Sequence, residues 1–381
     1  MMRRFLFIFL TLLFFLNYKV YAQVDENTLF DISKLEVYSQ RLQQEENYLP
    51  DISFSKMIDT YKATGSTGLS LKTISQGLLK ALFKEIIANS RLFVELLFIG
   101  ILCAVLQNIQ NAFDSQGISK IAYYVCYLIM VIIIIKSLML SMNIGKKAID
   151  DMIEFTNALM PALIVLLAAV GGFVSAATLD PILMFVIKIT SDIIRDLIIP
   201  ITMVIVMLNI VNNLSDELKI SKLADLVRQI NLWILGFIMT IFTAVVTIRS
   251  NTSATFDEVA VKSAKFAVDN FIPVVGKCLS DAVTTVAGYS LILKDAVSVA
   301  GLIILFLICI FPLIKIILIA LIYKFVSAVM EPIVDRKVIN CLSAVGSSIT
   351  MIFVCVLSVA VMFFIMITII AQTGRLIVFA G

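Results

Sequence analysis

Along most of this chain the apolar residues do not alternate with polar ones; they run together in blocks. A helix needs about 20 mostly apolar residues to cross the hydrocarbon core of a bilayer. Blocks of that size occupy 92–113, 118–142, 159–179, 181–211, 231–249, 273–293, 297–322 and 349–371. They predict an all-α, polytopic helical membrane protein with eight spans. The sixth block is the most polar, since NFIPVVGKCLSDAVTTVAG (residues 270–288) places Lys277 and Asp281 four residues apart.

The chain opens MMRRFLFIFLTLLFFLNYKVYA, with Arg3 and Arg4, an apolar stretch from Phe5 to Leu16, and Ala22 preceded two residues earlier by Val20. That order of basic, apolar and small residues predicts a signal peptide over 1–22, so that the chain from Gln23 onward starts outside the cytoplasm. An uncleaved anchor gives the same orientation. Residues 23–90 are mixed and polar and predict a small helical extracytoplasmic region. Its last part, LSLKTISQGLLKALFKEIIAN, sets Leu71, Ile74, Leu78, Leu82 and Ile86 on one face and Lys72, Lys80 and Lys84 off it. Such a helix suits the membrane surface, and equally a place against its own protein.

Two amphipathic segments mirror each other in sequence. AIDDMIEFTNALMP leads into the third block at Pro161, and AVKSAKFAVDNFIP into the sixth at Pro273. Those prolines stand 112 residues apart, as do Pro200 and Pro312. At about the same offset SDELKISKLADLVRQIN, before the fifth block, matches PIVDRKVINCLSAVGSS, before the eighth. The register predicts a duplication: 91–142 holds the first two spans, 143–256 one repeat, 257–371 the second, and 372–381 a tail. Three crossings in each repeat would turn the second one over, giving an inverted pair. Lysine and arginine are balanced across the predicted spans, so charge asymmetry adds no orientation.

Composition changes this picture mainly by exclusion. The 381 residues have a mean hydropathy of +1.03 and carry 30 basic against 27 acidic side chains, a net charge of +3. Without basic clusters, nucleic acid is not an expected partner, whereas membrane lipid is. Histidine is absent, which removes the commonest general base and metal ligand. The six cysteines, Cys103, Cys126, Cys278, Cys309, Cys341 and Cys355, show no CxxC spacing and read as small buried hydrophobes. The lysine of VVGKC lacks the second glycine of a phosphate-binding loop. Neither Asp192 nor Asp281 stands in a catalytic dyad, so no enzyme activity and no cofactor or metal site is expected.

A charge at mid-bilayer costs at least about 2.5–3.5 kcal/mol, so such residues face a partner or a wet cavity. In the fourth block, KITSDIIRDLIIP sets Lys188, Asp192, Arg195 and Asp196 on one side of a helix, with Lys188 and Asp192 one turn apart. In the sixth, Lys277, Asp281, Thr284 and Thr285 make a similar stripe, and Lys315 is a single charge without an obvious local partner. Two readings fit: the stripes line a polar path or a contact between the halves, or each pair neutralises itself and lets polar helices associate. Glu95 and Lys136 snorkel or pair together. Gly171, Gly172, Ser175 and Ala176, and likewise Gly276, Ser280 and Thr284, have the small-residue spacing of close helix packing.

AKFAVDNFIPVVGKCLSDAVTTVAGYSLILKDAVSVAG and LMPALIVLLAAVGGFVSAATLDP together resemble the stage III sporulation protein AE family of endospore-forming bacteria. The likeness extends over most of the chain after the signal peptide. It implies a mother-cell membrane subunit of the channel complex that joins mother cell and forespore and is needed for late forespore development. It also implies partners: a cytoplasmic secretion-type ATPase, ring-forming proteins between the two membranes, and a forespore-side protein. It carries over no catalytic residues. The competing reading is a self-sufficient secondary transporter of small molecules, whose mark would be a broken helix at mid-membrane near Pro200 or Pro312.

The orientation is open to a direct check. A Thr67→Cys variant should react with a membrane-impermeant thiol reagent in intact cells, and protection until lysis would overturn it.

Overall fold

A computed structural model describes residues 32–45, 53–68, 71–113, 118–214, 220–271 and 276–373. The predicted signal peptide and most of the tail lie outside these described residues. Among them the structure is helical, without strands. Two short helices come first, α1 (Ile32–Glu45) and α2 (Phe54–Thr64). Ser53 starts α2 by accepting the Lys56 N–H at 3.3 Å, and Gly65, at φ 70°, ends it by donating to the Tyr61 carbonyl at 2.8 Å.

The long helices are α3 (Leu71–Phe113), α4 (Ile118–Ala169), α5 (Asp180–Ile193), α6 (Ile199–Leu214), α7 (Ser221–Phe271), α8 (Gly276–Met330) and α9 (Arg336–Gln372). π turns at Ser175–Leu179 and Ile194–Ile198 join α5 and α6 into one rod. Pro200 accounts for the second turn's place. A proline ring clashes with the carbonyl four residues earlier, and a wider turn relieves that crowding.

Six stretches among the described residues are long and apolar enough to cross a membrane: Lys72–Ile109, Ile121–Ala169, Ser175–Asn213, Ser221–Ser263, Thr285–Met330 and Arg336–Gln372. Six such stretches stand against eight predicted blocks because two pairs of blocks share a helix: α4 carries 118–142 and the first half of 159–179 in 52 unbroken residues, and α8 carries 297–322 and most of 273–293 in 55. At 1.5 Å per residue α4 is about 78 Å long, against a hydrocarbon core of about 30 Å, and a continuous helix crosses once. The charged stretch between the two blocks of α4 suggests a loop by its polarity. Yet lysine, aspartate and glutamate are all compatible with a helix, so polarity does not end it.

Were each of these stretches to cross once, each proposed repeat would hold two full crossings, the α5–α6 rod with α7 and then α8 with α9, and two crossings return a chain to the side it left.

Helices α8 and α9 form the centre. Half of the most apolar window in each is buried, against 22% in α3 and in α7, which lie outermost. Glycine sets the closest approach of the central pair: a Cβ on Gly346 of α9 would lie 3.4 Å from the Ala320 carbonyl and 3.3 Å from the Tyr323 Cβ. The buried Tyr323 hydroxyl then donates to Ser137 Oγ of α4 at 2.9 Å. Helix α1 lies on α4 through Tyr38, whose ring meets Phe155 edge-on at 5.6 Å, and α2 packs on α8 with Phe54, Met57 and Ile58 buried.

A single crossing by α4 predicts opposite compartments for its two ends. Reporter fusions within 114–117 and at Gly172 should read inside and outside respectively; the same side for both would restore two crossings.

Candidate functional site

Helix α4 ends in a turn built from its two glycines. Gly171 donates to the Ala168 carbonyl and Gly172 to the Leu167 carbonyl, both at 3.0 Å, with Gly171 at φ 99°. These are the two bonds of a helix end whose left-handed residue is glycine. A Cβ on Gly172 would sit 2.7 Å from Leu167 Cδ1. The pair therefore closes a turn and is not the helix-packing stripe predicted from its spacing.

The rod that begins after this turn brings unsatisfied backbone N–H groups into the interior. Asp257 of α7, fully buried, meets them: its Oδ1 accepts from Val174 at 2.9 Å and Ser175 at 3.1 Å, and its Oδ2 accepts the Ser175 hydroxyl. At the end of the π turn stands Asp180, with none of its surface exposed. Arg249 of α7, 3% exposed, donates to Asp180 Oδ1 from Nε at 2.9 Å and from Nη2 at 2.6 Å. Its Nη1 donates to Thr373 Oγ1 at 2.8 Å. Lys294 of α8, also fully buried, donates to the Thr373 carbonyl.

The start of the rod and the end of α9 meet here, tied by side chains from the bodies of α7 and α8, and their electrostatics agree. The carboxylates lie at the N-terminal end of the rod, where helix dipoles are positive. The cations reach Thr373, the C-cap of α9, where dipoles are negative. The arrangement can tie helix ends together, and its charged side chains are held by one another and by backbone.

A second polar group forms a belt near the middle of the rod. Arg195 reaches Asp150 of α4 at 2.5 Å, Asp196 at 2.8 Å and Asp192 at 3.0 Å. Adjacent residues on a regular α-helix do not face each other; the pairing of Arg195 with its neighbour Asp196 occurs inside the π turn. Lys188 is exposed and forms no ion pair with Asp192 among the described residues, contrary to the predicted one-turn pair. Lys315 does have a partner, Glu85 of α3 at 3.6 Å, and Glu95 pairs with Arg91 at 2.7 Å, not with Lys136. Beyond the belt on α1, the Tyr38 hydroxyl donates to Glu154 at 3.5 Å. Burial first, and then the Glu154 charge, pushes the Tyr38 phenol above its ordinary value.

The predicted second stripe lies on the first turns of α8. The side chains of Lys277, Asp281, Thr284, Gly276 and Ser280 fall outside the described residues, while Thr285 is exposed. Cys103, Cys309, Cys341 and Cys355 are buried free thiols and Cys126 is half-buried. Among the described residues no three His, Cys, Asp or Glu side chains are placed to hold a metal ion.

Sequence reasoning missed the helix-end cluster. Asp180, Arg249, Lys294 and Thr373 each lie within two residues of a predicted span boundary, where a charge reads as an ordinary flank. The available signal was that these boundaries carry complementary charges.

The sequence profile described as Stage III sporulation protein AE matches residues 52–374. The chain belongs to that family. A relative with the same description from Bacillus subtilis (strain 168) is 35% identical over 312 residues, covering 82% of this chain and 78% of the relative. No solved structure matches the chain. Both glycines of the turn, and all the polar residues at the helix ends, fall within the part that matches the stage III sporulation family.

Removing one member of a buried ion pair strands the other, at a cost of about 3–5 kcal/mol. Asp180→Ala or Arg249→Ala should therefore lower the folded protein in membranes and the unfolding midpoint in detergent, while Asp180→Leu with Arg249→Met should recover most of both. Asp257→Ala removes only a cap and should cost about 1–2 kcal/mol in the same assay.

Proposed function

We propose that this chain is a non-enzymatic membrane subunit of a sporulation complex between mother cell and forespore, seated in the mother-cell membrane and required for late forespore development. The observation that carries this reading is family membership over residues 52–374. The build of the bundle supports it. Helices α3 and α7 keep most of their apolar surface on the outside, available to lipid and to neighbouring subunits, including a cytoplasmic secretion-type ATPase and ring-forming proteins between the membranes.

The transporter reading has weaker support. Its mark is a helix broken at mid-membrane, yet α8 runs on through Pro312 and the rod stays helical through the π turn just before Pro200. The charges at the helix ends answer one another and backbone groups, which suits a fixed scaffold.

An affinity-tagged chain purified from sporulating cells should bring down the ring-forming and ATPase subunits. Reconstituted alone in vesicles, it should pass no solute above the empty-vesicle rate. Flux by the chain alone, without those subunits in the purified material, would overturn the proposal in favour of a transporter.

A further inference from the structure

The rod and α4 run antiparallel from the turn at Gly171 and Gly172, and the contact of Arg195 with Asp150 sets those two residues at one level. That level lies midway along both apolar stretches, Ile121–Ala169 and Ser175–Asn213. On α4 an exposed stripe passes from Ile132 and Leu140 through Lys147 and Glu154 to Val165. On the rod a neighbouring one passes from Ile182 and Phe185 through Lys188 and Asp196 to Val204. Both stripes read apolar, charged, apolar.

Heights along the bundle follow from the rise of an α-helix, 1.5 Å per residue. Counted from the Asp150–Arg195 contact toward the helix-end cluster, Glu154 lies about 6 Å away and Lys188 about 10 Å; in the other direction Lys147 lies about 4.5 Å away and Asp196 about 1.5 Å. At nearly equal heights, then, α4 offers a carboxylate where the rod offers a cation, and a cation where the rod offers a carboxylate. Exposed charges midway along a membrane helix face a partner or a wet cavity. A wet cavity would put the apolar bands above and below them in water, whereas another protein covers all three levels.

We propose that this face of α4 and the rod pairs with the same face of a second copy of the chain. A two-fold axis along the membrane normal preserves height and lays α4 of each copy against the rod of the other. Glu154 then meets Lys188, and Lys147 meets Asp196, each pair occurring twice. The surface is complementary to itself, which selects a second copy over an unrelated chain.

Self-association of the full chain, purified in neutral detergent, is followed by sedimentation and native mass spectrometry. A dimer should form. Lys188→Glu sets carboxylate against carboxylate across the axis, and Glu154→Lys sets cation against cation, so either variant should weaken the dimer roughly tenfold. Both residues are exposed, so each variant should keep the unfolding midpoint of the native chain. The two variant chains are then mixed. In a mixed pair both altered contacts regain opposite signs, and a heterodimer should form about as tightly as the native dimer. A chain that stays monomeric, a dimer unchanged by either variant, or a mixture that associates no better than its components would each overturn the proposal. No other subunit is present, so such a failure leaves the place of the chain in a sporulation complex to the pull-down.

Discussion

Arg249 lies on α7 with 3% of its surface exposed, and the Asp180 carboxylate holds it there at 2.6 Å. Taking either charge out of water alone costs several kcal/mol, and their attraction offsets this only where the geometry is close and the remaining donors find acceptors. Thr373 takes the third guanidinium bond and its carbonyl takes Lys294, while both Arg249 bonds to Asp180 fall on Oδ1 and Oδ2 is buried without a hydrogen-bond partner. The constraint reaches beyond the pair. Arg249 and Asp257 on one face of α7 fix the start of the α5–α6 rod, while Thr373 and Lys294 bring the end of α9 and the body of α8 to the same point.

That meeting goes with the continuity of α4 and α8. In an eight-span inverted arrangement, the boundaries at 179 and 249 would face one side of the membrane and those at 293 and 371 the other. With α4 and α8 each continuous, the start of the rod, Arg249 and Asp257 of α7, Lys294 of α8 and the end of α9 lie together. The charged middle of α4, continuous with the helix on both sides, meets Arg195 of the rod and the α1 side chains Tyr38 and Arg41. Two polar levels thus divide the work, one closing helix ends and the other forming a partly exposed belt.

The belt and the cluster also differ in strength. Arg195 and its three carboxylates are between a quarter and three-fifths exposed, so solvent weakens each pair, and exposed ion pairs contribute about 1 kcal/mol or less. Buried Asp180 and Arg249 have no such relief. The buried cluster therefore holds its helices more tightly than the belt does, and the apolar faces of α3 and α7 lie outermost.

The all-helical class, the membrane setting and the family were legible in the chain before any fold was known, because blocks of about 20 apolar residues and the motifs around Pro161 and Pro273 are local properties. The meeting of Asp192 with Arg195 was legible too, since one-turn spacing on a helix needs no knowledge of the fold, whereas Arg195 pairs with adjacent Asp196 only inside the π turn. Packing was needed to bring Asp150 to that group and Glu85 to Lys315. It was needed again for Gly171 and Gly172 to turn the chain, and for Asp180, Arg249, Asp257 and Lys294 to share one interior. The reason is physical: whether a polar stretch interrupts a helix or merely lies on its surface depends on what packs against it. Which charges meet is set by that packing and is not carried by hydropathy.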